Sequence, residues 1–285
     1  MKHLKILEEE ALDLIRDISF SNDIESQVVF YSIGKDSSCL YHLFKKAFAP
    51  FPIPIRFMHI DTGWKFKEMY DFRDKIKNDI DLIIYKNPKN LNPFTDGRLY
   101  TDVMKTEALK QAIDLYNIKI AYGGSRRDEE KSRAKERMVS IRNEYHKWDP
   151  RNQNAEISPI YNPFFTPITS LRVFPLSNWT EIDVWEYIKQ EEIDIVPLYF
   201  AKKRRVQTLP SGMLIATQNE TGELKKVRFR TLGCYPLTGA VLSNATTIDE
   251  IIDELKKSEY TERITRIIDH DTDGSMEKKK KDGYF

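Results

Sequence analysis

Val28-Val29-Phe30-Tyr31-Ser32-Ile33-Gly34-Lys35-Asp36-Ser37-Ser38 runs from a β-rich apolar stretch through a short loop of small and polar residues into the start of a helix. At such a junction the unpaired backbone N–H groups of the first helical turn, with the helix dipole behind them, favour an anion over the loop. Gly34 permits close backbone approach, Lys35 brings a positive charge, and Ser32, Ser37 and Ser38 bring hydroxyl donors. A Walker A loop would need glycine at 29 and serine or threonine at 36; Val29 and Asp36 stand there instead. A phosphate cradle of another kind is expected, with Lys35 and Asp36 on an exposed loop. A polar turn that binds nothing is the plain alternative.

The 285 residues, 40% of them hydrophobic, suffice for one large α/β domain with an extension. Forty-five basic against forty-four acidic residues leave a net charge of +1, so no global field points to nucleic acid or to a membrane surface. The first residues, Met1 to Glu10, lack an apolar core of signal-peptide length, and the chain is expected to be cytoplasmic. Cys39 and Cys234 are too few for an iron–sulfur cluster or a four-cysteine zinc site, and read as core residues in a reducing compartment.

Outward from the loop, strand and helix signals alternate. Leu4, Leu7, Ala11, Leu14, Ile15 and Ile18 recur at helical spacing before the first strand. After it come a helix to about Pro50, a strand Ile53 to Ile60 ending in Asp61-Thr62-Gly63, a helix from about Lys65 to Asn78 and a strand Leu82 to Tyr85. A helix around Asp102 to Tyr116 and a strand Ile118 to Tyr122, ending in Gly123-Gly124, follow. This pattern predicts an α/β fold with a doubly wound, mostly parallel sheet and a ligand at the carboxyl ends of its strands. The ends Ser32-Ile33-Gly34, Asp61-Thr62-Gly63 and Gly123-Gly124-Ser125 should lie side by side and hold a nucleotide. Thr180 with Asp183 and Thr247 with Glu250 mark two later helix starts. Met213 to Thr217 and Lys225 to Arg230 flank Asn219 to Gly222 as a hairpin or flap. Residues 1–200 are read as the nucleotide-binding α/β domain, and 201–285 as an extension carrying the flap, a helix and a basic tail.

Gly123 to Arg137 is a second constellation, rich in Arg126, Arg127, Lys131 and Arg133 directly after a strand. Guanidinium forks suit tetrahedral oxyanions, with Asp128, Glu129 and Glu130 holding them in place. A solvated helix with ion pairs such as Glu129 with Arg133 would show the same composition.

The first loop resembles the pyrophosphate loop of enzymes that cleave ATP between its α and β phosphates. Together with His59 to Phe66, Gly123 to Arg137, Arg172 to Glu181, Val196 to Tyr199, Val227 to Ala240 and Gly274 to Phe285, it resembles the small subunits of bacterial sulfate adenylyltransferases from end to end. Asn87 to Tyr100 and the proline-containing Ile157 to Ser170 read as loops outside that likeness. The resemblance implies that MgATP and sulfate give adenosine 5′-phosphosulfate and pyrophosphate, the first step of sulfate assimilation. It assigns Ser32, Gly34, Lys35, Ser37 and Ser38 to the β and γ phosphates, Asp36 to Mg²⁺, and Asp61, Thr62 and Gly63, with Gly123 and Gly124 alongside, to ATP. Arg126, Arg127, Lys131 and Arg133 are the candidates for sulfate and α-phosphate, with Arg228 and Arg230 as second choices. Lys35, Asp36, Arg126, Arg127 and Arg133 would carry catalysis. Because the product anhydride lies above the bond consumed, the resemblance implies a GTP-hydrolysing large subunit as partner, and no nucleic acid or membrane. The histidines are read as ordinary, His59 as packed at a strand end. A phosphoadenylyl-sulfate reductase-like enzyme and a non-catalytic nucleotide-binding regulatory subunit remain as alternatives, and the tail 274–285 is expected to order when ATP or the partner binds.

Overall fold

The computed structural model describes residues 2–153, 156, 170–217, 222–258 and 262, without the side chains of 131 and 132. Lys131 as a ligand, the loop 157–169, the tip 218–221 of the expected flap and the tail 274–285 therefore lie outside the described residues.

Helix α1 (Lys2–Phe20) buries Leu4, Leu7, Ala11, Leu14, Ile15 and Ile18, the stripe its spacing predicts. It is pinned by a buried polar knot: Tyr122 OH donates to Gln27 Oε1 at 2.8 Å, and Gln27 Nε2 donates to the Ser19 carbonyl at 3.0 Å. The chain continues as β1 (Gln27–Phe30), α2 (Lys35–Phe48), β2 (Arg56–Ile60), α3 (Lys67–Ile76), β3 (Leu82–Tyr85), α4 (Gly97–Thr101), α5 (Ala108–Leu115), β4 (Ile120–Tyr122), α6 (Lys131–Ala134), β5 (Val139–Arg142), β6 (Ser170–Val173) and α7 (Glu181–Gln190). A π-helical turn, Asp102–Glu107, joins α4 to α5. The stretch read as a loop up to Tyr100 thus ends in helix, because Tyr100 and Met104 are fully buried and anchor that turn.

Six strands form one sheet in the order β3-β2-β1-β4-β6-β5, parallel except for β5, which runs antiparallel to β6. The order reverses between β1 and β4, so the crevice outside their carboxyl ends is the topological switch point where ligands of such sheets bind. The polar ends of β2, β1 and β4 are neighbours there, as the alternation predicts.

The last third of the chain departs from the expected hairpin. Strands β7 (Lys202–Thr208), β8 (Leu214–Ala216), β9 (Glu223–Arg228) and β10 (Gly239–Leu242) close into a small antiparallel barrel in the order β10-β8-β7-β9. β8 and β9, the two arms of the expected flap, each pair with β7 and β10 and not with one another. β7, Lys-Lys-Arg-Arg-Val-Gln-Thr, buries only Val206, so its charged sequence conceals the strand that separates the arms. Helix α8 (Ile248–Lys256) starts at the Thr247–Glu250 capping box, and α7 at that of Thr180 and Asp183. Val206, Val227, Phe229 and Ile251 share one hydrophobic core with Val29, Leu40 and Trp185, so barrel and sheet pack as one body. The Phe66 and Phe229 rings, with centroids 4.9 Å apart, form part of that seam.

Candidate active site

The loop after β1 is strained at one residue. Ile33 has φ +69°, a left-handed conformation that β-branched residues rarely adopt, and its side chain is fully buried in the main core. The conformation costs roughly 1–2 kcal/mol, and burying an isoleucine returns about as much or more. The turn brings Gly34 to the N-cap of α2. Ser37 Oγ donates to the Gly34 carbonyl at 2.9 Å, Ser32 Oγ to Ser37 Oγ at 3.3 Å, and the Lys35 N–H to Tyr199 OH at 2.8 Å. Gly124, after β4, is packed so tightly on α2 that a Cβ there would come within 3.1 Å of the Asp36 backbone.

Lys35 and Asp36 are not exposed as expected: Lys35 is 1% accessible, because helix α2 turns it inward against two carboxylates. Its ammonium lies 3.2 Å from Asp36 Oδ2 and also pairs with Glu262. Arg126, fully buried, donates from Nε to Asp36 Oδ1 at 2.8 Å and pairs through a terminal nitrogen with the same Glu262. Burial opposes the charge on Lys35, but Asp36 and Glu262 outweigh it and hold the amine charged. Burial likewise works against the Asp36 carboxylate, yet Lys35 and Arg126 keep it below its ordinary range.

A cavity of about 280 Å³ opens over this network, lined by Ser32, Gly34, Lys35, Asp36, Ser37, Gly123, Gly124, Ser125 and Arg133. One wall is apolar, made of Phe30, Met58, Ile60 and Leu109. Three basic side chains beyond the loop line it: Arg133, whose guanidinium donates to Ser125 Oγ, Lys65 and Lys105. Lys65 follows β2 and Lys105 sits in the π-helical turn, where extra backbone in a turn re-aims a side chain. Neither lysine was singled out from sequence, and only the position of Lys65 just beyond Asp61-Thr62-Gly63 offered a hint. The connection between β9 and β10 contributes Thr231, Gly233, Cys234 and Thr238. Burial pushes the Cys234 thiol up, but Lys105, Lys65 and the neighbouring Thr62 and Tyr100 hydroxyls more than reverse this, holding it below its ordinary value.

Other candidates are placed elsewhere. Thr62 lines the cavity, whereas the Asp61 carboxylate is taken by Arg73 at 2.9 Å, the Gly63 N–H at 2.8 Å and Tyr70 OH at 3.2 Å. The basic segment is no solvated helix: Arg126 and Arg133 turn inward, while Arg127 reaches Glu156 at 2.6 Å and Asn178 at 2.7 Å, away from the cavity lining. Arg228 pairs with Glu254 at 2.8 Å and Arg230 with Glu181 at 2.7 Å, so both guanidiniums brace the barrel and α7–α8 region. Ser38 lies 3.4 Å from Tyr31 OH, one layer behind the loop. Sequence reasoning missed Glu262, gave Tyr199 no role beyond its place in the Val196 to Tyr199 stretch, and read His59 as ordinary packing although it lines the cavity.

A glycine-bearing anion loop at the switch point, an apolar platform and several cations define a nucleotide-binding α/β domain. Residues 26–240 match the phosphoadenosine phosphosulfate reductase domain family. Over its whole length the chain is 52% identical to the sulfate adenylyltransferase subunit 2 of Psychromonas ingrahamii, covering 98% of that protein, and 52% identical to that of Pseudoalteromonas translucida, covering 99%. Against the counterpart from Rhizobium meliloti the identity is 53%, over 99% of this chain and 93% of the other. The chain thus belongs to the phosphoadenosine phosphosulfate reductase domain family and, within it, to the nucleotidyltransferase family of sulfate adenylyltransferase subunit 2. In architecture it is similar to an FMN adenylyltransferase of Candida glabrata crystallised with ATP, with a TM-score of 0.51 at 14% identity over 93% of this chain and 88% of that one. Among the described residues no helix is long and apolar enough to cross a membrane.

Proposed function

We propose that this chain is the catalytic subunit that transfers the adenylyl group of MgATP to sulfate, giving adenosine 5′-phosphosulfate and pyrophosphate. The observation that carries this reading is the cavity, which joins an apolar platform to the N-terminus of α2 and adds Lys65, Lys105 and Arg133 beyond the loop. Such a site has room for a purine on Phe30, Met58, Ile60 and Leu109, for a triphosphate over Ser32 to Ser37, and for a second anion beside it. The names of the relatives support the same reaction.

A sulfate oxygen attacks the α-phosphorus, and the bond to the bridging α–β oxygen breaks as pyrophosphate departs. Sulfate is already ionised at neutral pH, so no general base is needed. Catalysis then consists of positioning two anions and stabilising the charge that develops between them. The α2 N-terminus and the serine hydroxyls take the departing pyrophosphate, while Arg133, Lys65 and Lys105 serve the sulfate and α-phosphate. Magnesium arrives with ATP, and Asp36 suits it: the ion binds through one or two carboxylates plus substrate phosphates, and Asp36 is held ionised at the cavity edge. Bound there, it would neutralise phosphate charge. Lys35 and Arg126 keep that carboxylate oriented.

A GTP-hydrolysing large subunit is the partner that would drive the uphill synthesis. The test is pyrophosphate release from ATP by the chain with its co-expressed partner: dependence on both sulfate and GTP is expected, and release indifferent to sulfate would refute the reading. A reductase would need a nucleophilic cysteine, and Cys234 does line the cavity. Its sulfur, however, is fully buried and accepts a hydrogen bond from Tyr100 OH at 3.2 Å, so Cys234→Ser should retain sulfate-dependent turnover.

A further inference from the structure

His59 has one ring nitrogen committed and one left over. Its Nδ1 lies 2.8 Å from the Tyr31 carbonyl, which can only accept, so the proton sits on Nδ1. Its Nε2 is buried with no hydrogen-bond partner among the described residues, and the ring lines the cavity. Burial, with Lys65 beside it, pushes the ring's pKa down to about 3, so Nε2 presents a lone pair at neutral pH. A buried acceptor without a donor is unfavourable, and a ligand can relieve this by bringing an O–H or N–H.

The geometry says which part of a nucleotide can do so. A phosphate oxygen has no proton to give and would be repelled by the lone pair. The base has a different seat, because Phe30, Met58 and Ile60 project from one face of β1 and β2, whereas His59 alternates with Met58 and projects with Phe57 from the other. His59 is instead tied to Tyr31, where β1 enters the phosphate loop. That position, between the base platform and the loop, is where the sugar of ATP must pass.

We infer that His59 Nε2 accepts a hydrogen bond from a ribose hydroxyl of the bound adenine nucleotide, making His59 a determinant of ribose specificity. The inference rests on the nucleotide reading of the cavity. Two near-isosteric variants separate its nitrogens: His59→Asn keeps an amide donor at the Nδ1 position and removes Nε2, while His59→Gln keeps an acceptor at the Nε2 position. Calorimetric titration of the full-length wild type with ATP, 2′-deoxy-ATP, 3′-deoxy-ATP and purine riboside triphosphate, which lacks the 6-amino group, is the experiment. One deoxy analogue should bind the wild type on the order of tenfold more weakly than ATP. His59→Asn should bind ATP no better than that analogue, and His59→Gln should restore the difference. Purine riboside triphosphate should keep the same ratio to ATP in all three proteins. Equal binding of ATP and both deoxy analogues by the wild type overturns the inference without any variant. So does an Asn variant that weakens every nucleotide by one factor, or that equalises ATP with purine riboside triphosphate. Wild type that binds no ATP at all overturns the nucleotide reading itself, and the inference with it.

Discussion

Replacing Gly124 by alanine tests whether the phosphate loop works by exact placement of α2. A Cβ at 124 would lie 3.1 Å from the carbonyl carbon and Cβ of Asp36 and 3.2 Å from its carbonyl oxygen. Ordinary contact is about 3.5–4 Å, so the loop after β4 and the first turn of α2 must part by several tenths of an ångström. Neither side can yield by a rotamer change, since the contacts are backbone and a Cβ. Overpacking of this kind costs about 1–3 kcal/mol, a fall of a few degrees in Tm for a chain of this size. Misplacement by about 1 Å can cost roughly 10²-fold in rate, so a shift near half that should lower kcat about tenfold. Gly97→Ala is the control: φ there is +49°, nothing lies within 4 Å of the added Cβ, and the residue is absent from the cavity lining. It should lower Tm through about 1–2 kcal/mol of backbone strain and leave turnover unchanged. The assay is sulfate-dependent pyrophosphate release with the partner present, beside thermal melts of both variants. Unchanged kcat in Gly124→Ala, or equal loss of activity in the two variants, would refute the argument.

Lys65→Ala and Lys105→Ala should each raise the KM for sulfate more than that for ATP; the opposite ratio would move the second anion elsewhere. Lys35→Met removes a buried cation from between Asp36 and Glu262, and should cost about 3–5 kcal/mol in stability along with at least about 10²-fold in turnover, read by denaturant melts and initial rates. Stability should also respond to acid through His59. Its pKa is lowered on folding from 6.5 to about 3, so the unfolded chain takes up the proton first. The stability from burying the neutral ring is whole above pH 6.5 and is lost as pH falls toward 3, by up to about 1.4 kcal/mol per unit. Between pH 7 and 5, His59→Asn should therefore have a flatter stability curve than the wild type, and superimposable curves would show that the ring titrates normally.

The parallel sheet, the loop at its switch point and both later capping boxes were legible because their signals are local. Alternating apolar runs, helical spacing, and a glycine at the N-cap of α2 are set by a residue and its near neighbours. The direction in which charged side chains point is not local. Arg126 and Arg127 are adjacent and alike in sequence, yet one is buried against Asp36 and the other reaches Glu156 and Asn178. The partners that decide this are remote: Lys35 pairs with Glu262, 227 residues away, and its backbone N–H donates to Tyr199, 164 residues away. The strand β7 was hidden for the same reason, since four basic residues at its start carry no apolar alternation and only pairing with β9 makes them extended. Sequence by itself determined that a glycine-bearing polar loop joins the first strand of a parallel sheet to a helix. Tertiary structure alone decided which cations face the cavity, because burial of a charge depends on carboxylates delivered from distant parts of the chain.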